Sequence, residues 1–247
     1  MKLIKLIGCL LIIAGLAAAQ SPLQFFAHAD VVKPSMNADY FKFLKNVKET
    51  YQRQGVTLNY NVLRQDDNTF YFFSPMQDLN IGAVYKGFGE IENKVGKEAF
   101  AKLLAEKERC IESHSEFVTM LLPQYTYLAP GESENFCHIV FWFPMPGKQA
   151  EVDQIAKEWI ELYKAKNAPR GYQTYRIVFG GEPGYIIVNW AKDELDYATK
   201  SKKNNEVMGE EASRLWARTM AITQRLYSKN GWYLRELSYT YQPVAAK

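Results

Sequence analysis

The sequence repeats itself at a spacing of 110 to 115 residues, and this repeat restricts the possible folds more than any other feature. In the segment 37–54, apolar side chains recur at the three- and four-residue spacing of one helix face, from Tyr40 to Tyr51. The same stripe returns in the same phase 112 positions later, from Val152 to Tyr163. A doubled pattern of this length predicts two copies of one supersecondary unit.

Strand patterns surround both of these helices. A β-rich run that ends in proline precedes each one, at 28–34 and at 138–144. A hairpin pattern follows each one, at 58–73 and at 172–188, where two β-rich runs flank a tract of turn residues. Each copy therefore begins as strand, helix, strand, strand.

The second part of each copy also matches. A polar linker leads to a second helix, which is predicted to open at Gly96 in the first copy and at Gly209 in the second, 113 positions apart. A closing strand is predicted around a Tyr-Thr-Tyr tripeptide, which begins at Tyr125 and again at Tyr239. Both copies thus have the order β-α-β-β-α-β of a ferredoxin-like unit.

These patterns predict an α+β fold. A single ferredoxin-like unit covers one face of its sheet with helices and leaves the other face bare, and here that face is too apolar for water. Two tandem units, at 20–131 and 132–247, are therefore predicted to pack sheet to sheet as a pseudo-twofold barrel, with the helices outside.

This tandem arrangement resembles the dimeric α+β barrel superfamily. Its members include antibiotic-biosynthesis-type monooxygenases, haem-degrading monooxygenases, EthD-like proteins and NIPSNAP proteins. The resemblance covers nearly all of the chain after residue 19 and rests on the element order and the repeat. It implies a lumen between the two sheets, and it makes haem a possible cofactor.

The first 19 residues have the pattern of a secretory signal peptide. Lys2 and Lys5 form a basic opening, an apolar run follows from Leu6 to Leu16, and three alanines end at Ala19. The apolar run is shorter than the roughly 20 residues that span a bilayer. The sequence therefore predicts export to the periplasm or the extracellular space, with no membrane attachment after cleavage.

The charge of the chain excludes one class of partner. The formal net charge is +3, and it falls to +1 once the two lysines of the signal peptide are removed. A nearly neutral protein offers no electrostatic basis for binding nucleic acid.

The sequence contains three histidines, the residue type that most often binds a metal ion. His28 and His138 occupy matching positions in the first strand of each copy, which makes them weak candidates for metal or haem ligation. No pair of carboxylates repeats beside them, so no metal site is expected. His114 is placed on the second helix of the first copy, as a core residue.

Strand parity predicts a ligand pocket between the sheets, because alternate side chains face the helices and the lumen. If Ile186 and Val188 face the helices, a set of aromatic and polar residues faces the lumen. The residues selected in this way are Phe70, Asn61, Ser74, Arg176, Tyr185 and Asn189. Arg176 would hold an anionic ligand. The alternatives are a filled barrel core, or a shift of parity by one residue that exposes Arg176.

Two cysteines follow the signal peptide, Cys110 and Cys137. An exported protein meets oxidising conditions, so a disulfide between them is possible, and two separately buried thiols are the alternative.

The function predicted from these features is an exported protein that binds a small aromatic or anionic molecule between its two sheets. One alternative is an enzyme of the monooxygenase type, either cofactor-independent or haem-dependent. The other is a structural protein with a filled barrel. Local motifs of serine hydrolases, nucleotide-binding loops and zinc peptidases are absent from the sequence.

Overall fold

The strands and helices follow the order that the repeat predicts, with the second helix of the first unit in two pieces. A computed structural model describes residues 23–76, 79–130 and 135–241. The strands are β1 (Gln24–Val32), β2 (Asn61–Gln65), β3 (Thr69–Met76), β4 (Ile111–Leu121), β5 (Phe136–Pro144), β6 (Gln173–Phe179), β7 (Tyr185–Ala191) and β8 (Thr223–Tyr233). The helices are α1 (Asn37–Gln54), α2 (Ile81–Val95), α3 (Lys97–Cys110), α4 (Gln149–Ala165) and α5 (Glu194–Ala221).

The strands form a closed antiparallel barrel in the order β1-β3-β2-β8-β5-β7-β6-β4. Each unit contributes four neighbouring strands, so the predicted α+β barrel of two ferredoxin-like units is confirmed. The units join where β2 pairs with β8 over Leu63–Gln65 and where β4 pairs with β6 over Val118–Leu121. Closure pairs the edge strands of both sheets, which would otherwise be free to pair with other chains.

Helix α1 shows why the first copy of the repeat folds as it does. Its apolar stripe buries Tyr40, Phe43 and Leu44 against the sheet of the first unit. Each such side chain contributes about 1.5–3 kcal/mol when it is fully buried. The helix ends at Gly55, whose φ of 57° is left-handed, a conformation that glycine adopts without strain.

The second helix of each unit differs from its prediction. These helices begin at Ile81 and at Glu194, so the segments that were predicted to be polar linkers are helical. Gly96 separates α2 from α3, and Gly209 interrupts α5 with φ 57° and ψ −147°. The repeated glycines therefore mark a break within each helical segment and not its start.

The closing strands also differ from their prediction. β4 and β8 end before the Tyr-Thr-Tyr tripeptides, and His114 lies on β4 and not on a helix. Tyr127 forms a β-bridge with Tyr172 of the second unit, and Tyr239 forms one with Tyr60 of the first. Each tripeptide therefore fastens its own unit to the other one.

Two predictions lie outside the described residues. These are the signal peptide at 1–19 and the join between the units at 131/132. Within the part of the chain that is described, no helix is both long enough and apolar enough to cross a membrane.

Candidate functional site

Each strand of the barrel has an inner face toward the lumen and an outer face toward the helices. The inner-face cluster combines strand residues from both units, and none of its members described here lies on a helix. Its buried members are Leu63, Cys137, Ile139, Phe141, Phe143, Ile186 and Val188. The outer-face clusters combine strand residues with α1 or with α4 and α5. Because side chains alternate along a strand, these clusters fix the orientation of every strand.

The orientation predicted for β3 and β7 is wrong. The ring of Phe70 lies 5.0 Å from that of Tyr40 on α1, and the Tyr185 hydroxyl accepts a hydrogen bond from Gln149 on α4 at 2.9 Å. Both candidates therefore face outward. The physical reason is that both faces of these strands are buried and apolar, so the polarity pattern does not distinguish the lumen from the helices.

The same reversal removes three polar candidates from the lumen. Ser74 lies opposite Phe26, a member of an outer-face cluster, in the β1–β3 ladder. Asn189 alternates with the inner-face residue Val188, and its amide donates to a main-chain carbonyl of β5 at 3.1 Å. Arg176 alternates with inner-face neighbours and is exposed to solvent, as the alternative of shifted parity requires.

Asn61 is the one polar candidate that the structure places on the inner face. It alternates with Val62, which belongs to an outer-face cluster, and it lies opposite Phe73 in the β2–β3 ladder. Its side-chain oxygen accepts a hydrogen bond from the Tyr233 hydroxyl at 2.8 Å, and the residue is exposed.

The two cysteines are free and buried. Cys110 packs in the outer-face cluster of the first unit, and Cys137 packs in the inner-face cluster, so the barrel wall separates them. Of the two alternatives, the structure has two separate thiols and no disulfide. Burial raises the pKa of both thiols, which makes them poor nucleophiles.

The buried apolar side chains of the inner-face cluster fill the middle of the barrel. Two clefts recorded among the described residues, of about 380 and 260 Å³, lie outside the barrel against α4 and α5. The first is lined by residues such as Ala150 and Ile222, and both clefts include Arg218. The predicted pocket does not extend through the lumen.

One end of the lumen is nevertheless open. In the β5–β8 ladder Tyr227 lies opposite Phe141, and Lys229 lies opposite Ile139, so both side chains are on the inner face. Tyr227 is 40% exposed. An inward side chain reaches solvent only where the barrel does not close over it.

We call this opening the barrel mouth. Its residues are Tyr71, Phe117, Phe143, Arg225, Tyr227 and Lys229, and both units contribute to it. Tyr227 stacks on Phe141 with ring centroids 4.9 Å apart, and the Arg225 guanidinium lies 4.3 Å from the ring centroid of Phe143. The mouth therefore combines flat aromatic surfaces with two cations.

The cations of the mouth are held by exposed carboxylates. Lys229 lies 3.2 Å from Asp67 in the β2–β3 turn, and Arg225 pairs with Glu182 in the β6–β7 turn. Burial raises the pKa of Tyr71, and the nearby Asp67 and Tyr227 raise it further, so its hydroxyl stays protonated and can donate a hydrogen bond. The sequence pattern does not select these residues. Tyr71 has the parity that is assigned there to the helices, Phe117 is expected on a helix, and the strand with Arg225, Tyr227 and Lys229 receives no parity assignment.

His28 and His138 lie on the outer face of their sheets, in matching positions. His28 is opposite Glu116 in the β1–β4 ladder, and His138 is opposite Asn230 in the β5–β8 ladder. Each histidine Nδ1 lies within hydrogen-bonding distance of that partner, at 3.2 Å and 3.0 Å. His114 lies on the same face as His28, with the two rings stacked 5.8 Å apart.

The histidines do not fit a haem group between the sheets. His28 and His138 face the helices, and both ring nitrogens of His28 contact protein groups. His114 is exposed on the outer face, and neither of the two clefts is lined by a histidine. The described residues also contain no cluster of His, Cys, Asp and Glu that could hold a metal ion.

Comparison with known proteins identifies the fold. No protein-family model matches the chain, and no curated protein matches it. An anthrone oxidase-like protein of known structure is similar with a TM-score of 0.56 at 11% identity, covering 88% of this chain and 93% of its own. A candidate monooxygenase from Lactobacillus acidophilus is similar with a TM-score of 0.53 at 11% identity, over 89% of this chain and 97% of its own.

A third similar structure is a mutant chlorite dismutase from Candidatus Nitrospira defluvii, with a TM-score of 0.55 at 7% identity, over 86% of this chain and 92% of its own. At such identities the similarity establishes the fold and not the chemistry. The protein therefore has the fold of the dimeric α+β barrel superfamily, with both ferredoxin-like units supplied by one chain.

Proposed function

We propose that the protein binds a small aromatic anion at the barrel mouth, between its two sheets. The observation that carries this proposal is Tyr227, an aromatic side chain on the inner face of the barrel that is open to solvent. A planar ligand would stack on its ring, and Arg225 and Lys229 would contact the anionic group of the ligand.

The ion pairs of the mouth do not prevent such binding. Arg225–Glu182 and Lys229–Asp67 are partly or half exposed on both sides. Exposed pairs of this kind contribute only about 0–1 kcal/mol. A ligand carboxylate that is desolvated against the aromatic rings can therefore compete with Glu182 and Asp67.

The test uses 1-naphthoate as the probe in isothermal titration calorimetry. Two control probes are used: cyclohexanecarboxylate, which lacks the aromatic ring, and 1-naphthalenemethanol, which lacks the negative charge. Removal of a charge-assisted hydrogen bond costs about 1.5–3 kcal/mol, so Arg225→Ala and Lys229→Met should each weaken naphthoate binding roughly tenfold or more.

Arg176→Ala is the matched control, because Arg176 is an exposed arginine outside the lumen. It should leave the affinity unchanged. Equal affinities for wild type, Arg225→Ala and Lys229→Met would refute the proposal, and so would a loss of affinity in Arg176→Ala.

Two alternative functions each have one observation in their favour. The names of proteins with the same fold favour an enzyme of the monooxygenase type, and oxygen consumption in the presence of phenols or haem would detect it. The filled middle of the barrel favours a structural protein, for which no probe should bind at the mouth.

We also propose that the protein is exported after cleavage behind Ala19. The basic opening and the apolar run of the first 19 residues support this proposal. Mass spectrometry of the protein from the periplasm or the medium should show an N-terminus at Gln20. Recovery of the uncleaved chain from the cytoplasm alone would contradict it.

A further inference from the structure

A chain of ionisable side chains connects the core of the first unit to its surface. At the buried end, the Tyr40 hydroxyl donates to Asp30 Oδ2 at 2.5 Å. Asp30 Oδ1 lies 2.9 Å from His28 Nε2 and 3.1 Å from Lys107 Nζ. At the surface, His28 Nδ1 lies 3.2 Å from Glu116 Oε1. We call these five residues the His28 centre.

The geometry determines which way His28 presents its proton. Nε2 lies 2.9 Å from Oδ1 of the ionised Asp30, which can only accept, so Nε2 carries a proton; Lys107 Nζ shares the same carboxylate oxygen at 3.1 Å. Nδ1 faces the carboxylate of Glu116, which can only accept when it is ionised. His28 therefore donates from Nδ1 to Glu116, and the two residues form an acid and base pair in direct contact.

The second unit shows that the fold does not require these charges. Two residues beyond each matched histidine, the first unit has Asp30 and the second has Val140. The fourth residue of the following helix is Tyr40 in α1 and Val152 in α4. An apolar pair thus occupies the place of the hydrogen-bonded acid and phenol.

Keeping charge at this place is costly to stability. The Asp30 side chain is only 2% exposed. Burial alone would raise the pKa of Asp30, but the hydrogen bond and charge of His28 and the charge of Lys107 outweigh it, so the pKa is lowered and the carboxylate stays ionised. A well-packed apolar replacement of a buried ion pair is often neutral or stabilising. A buried acid whose pKa is set by specific charge partners is a candidate for a functional site.

The outer end of the His28 centre is accessible to a small molecule. Glu116 is 36% exposed and His28 is 17% exposed. The exposed Tyr85 on α2 donates to the second Glu116 oxygen at 2.8 Å, and the exposed His114 stacks beside His28. A ligand that displaces the long contact between Glu116 and His28 Nδ1 would meet a base and an acid on neighbouring sides.

We infer that the His28 centre is an acid–base site that enolises small carbonyl compounds. Such a substrate has an acidic C–H bond on the carbon next to its carbonyl group. Enolisation therefore needs a base at that C–H bond and an acid at the carbonyl oxygen, a short distance apart. Glu116 supplies the base and His28 Nδ1–H supplies the acid. Asp30 is a positioning residue, because it holds His28 through Nε2.

The proposed step balances without a cofactor. Glu116 takes the proton from the α-carbon, and the electron pair of the broken C–H bond forms the C=C bond. The π electrons of the C=O bond move to the oxygen, which takes the proton from His28 Nδ1, so the product is the enol and His28, which keeps its Nε2 proton toward Asp30, is left as a neutral imidazole. Direct transfer of the proton from Glu116 back to His28 restores the starting state, and nothing is oxidised or reduced.

The experiment measures exchange of α-protons for deuterium in D2O by NMR, with pyruvate, phenylpyruvate and 2,4-pentanedione as probes. The wild type should accelerate exchange of at least one probe above the buffer rate. General acid–base catalysis contributes roughly 100-fold or more, so Glu116→Gln and His28→Gln should lower the enzymatic rate by at least that factor.

His138→Gln is the matched control, since His138 has the same place in the second unit but Asn230 in place of the carboxylate. It should keep the wild-type rate. Glu116 is partly exposed, so Glu116→Gln tests the step even if His28→Gln fails to fold. Asp30→Asn weakens the hydrogen bond that holds the ring through Nε2, and because Asp30 does not touch the substrate, this variant should lower kcat with little change in KM.

The proposal is overturned if the wild type accelerates exchange of none of the three probes, or if His138→Gln loses as much rate as Glu116→Gln. This test is independent of the barrel mouth. Lys229→Met should leave deuterium exchange unchanged, and Glu116→Gln should leave naphthoate binding unchanged.

Discussion

Replacement of Asp30 by valine, the residue that the second unit has at the matching place, measures how much stability is lost when the buried ion pair is broken. In wild type the Asp30 carboxylate accepts from Tyr40 at 2.5 Å and lies 2.9 Å from His28 Nε2 and 3.1 Å from Lys107 Nζ. Asp30→Val leaves a buried hydroxyl without its acceptor and a largely buried ammonium without its counter-ion. Breaking a buried ion pair in this way costs about 3–5 kcal/mol.

A compensated variant separates this cost from simple loss of packing. Asp30→Val combined with Tyr40→Phe and Lys107→Met removes the acid together with its phenol and ammonium partners, and His28, which is partly exposed, keeps its contact with Glu116. Because apolar replacements of buried ion pairs are often neutral or stabilising, the triple variant should recover to within about 1 kcal/mol of wild type or exceed it.

The assay is urea unfolding followed by tryptophan fluorescence at several pH values. The folded-state pKa of Asp30 is lowered, so its stabilisation is complete above the unfolded-state value of about 3.9 and is lost as the pH falls through the folded value. The difference between wild type and Asp30→Val should therefore shrink below about pH 4, where Asp30 becomes protonated in the folded wild type. A cost under about 1 kcal/mol at pH 7, or a triple variant no better than the single one, would refute the reasoning.

Two further predictions concern the glycine break and the thiols. Gly209→Ala should destabilise the protein by about 1–3 kcal/mol, since φ 57° and ψ −147° are nearly closed to a side chain although a Cβ would meet nothing within 4 Å. Gly89→Ala in α2 is the control, because a Cβ added there also meets nothing within 4 Å, and it should stabilise the protein by up to about 1 kcal/mol. Urea unfolding compares the two variants, and equal changes in the free energy of unfolding would contradict the argument. Cys110 and Cys137 should react with an aromatic disulfide reagent only after unfolding, and rapid reaction of the native protein would show that they are not buried.

Most of the fold could be predicted from the repeat in the sequence. Helix periodicity placed α1 at 37–54, and the matching order of elements predicted two ferredoxin-like units and a closed barrel. Local patterns worked less well for the second helices. A glycine after a polar segment predicts the start of a helix, whereas Gly96 and Gly209 interrupt helical segments that have already begun at Ile81 and Glu194.

The candidate site was only partly predictable. The architecture predicts a lumen shared by the two sheets, but of the six residues proposed to line it only Asn61 faces inward. The His28 centre has one local signal in the sequence. Asp30 is the one acid of β1, and Val140 stands in its place in the second copy. Its partners come from α1, α3 and β4, and no spacing in the sequence brings these together.

The sequence by itself determined the architecture, because a duplicated pattern of apolar spacing leaves few ways to bury two bare sheets. Only the tertiary structure decided which side of each strand faces the lumen. In a barrel covered by helices both sides of a strand are buried, so the alternation of polar and apolar residues weakens, and a shift of one residue exchanges every inward side chain for an outward one. For that reason Tyr227 opens onto the barrel mouth, whereas Tyr185 packs against α4.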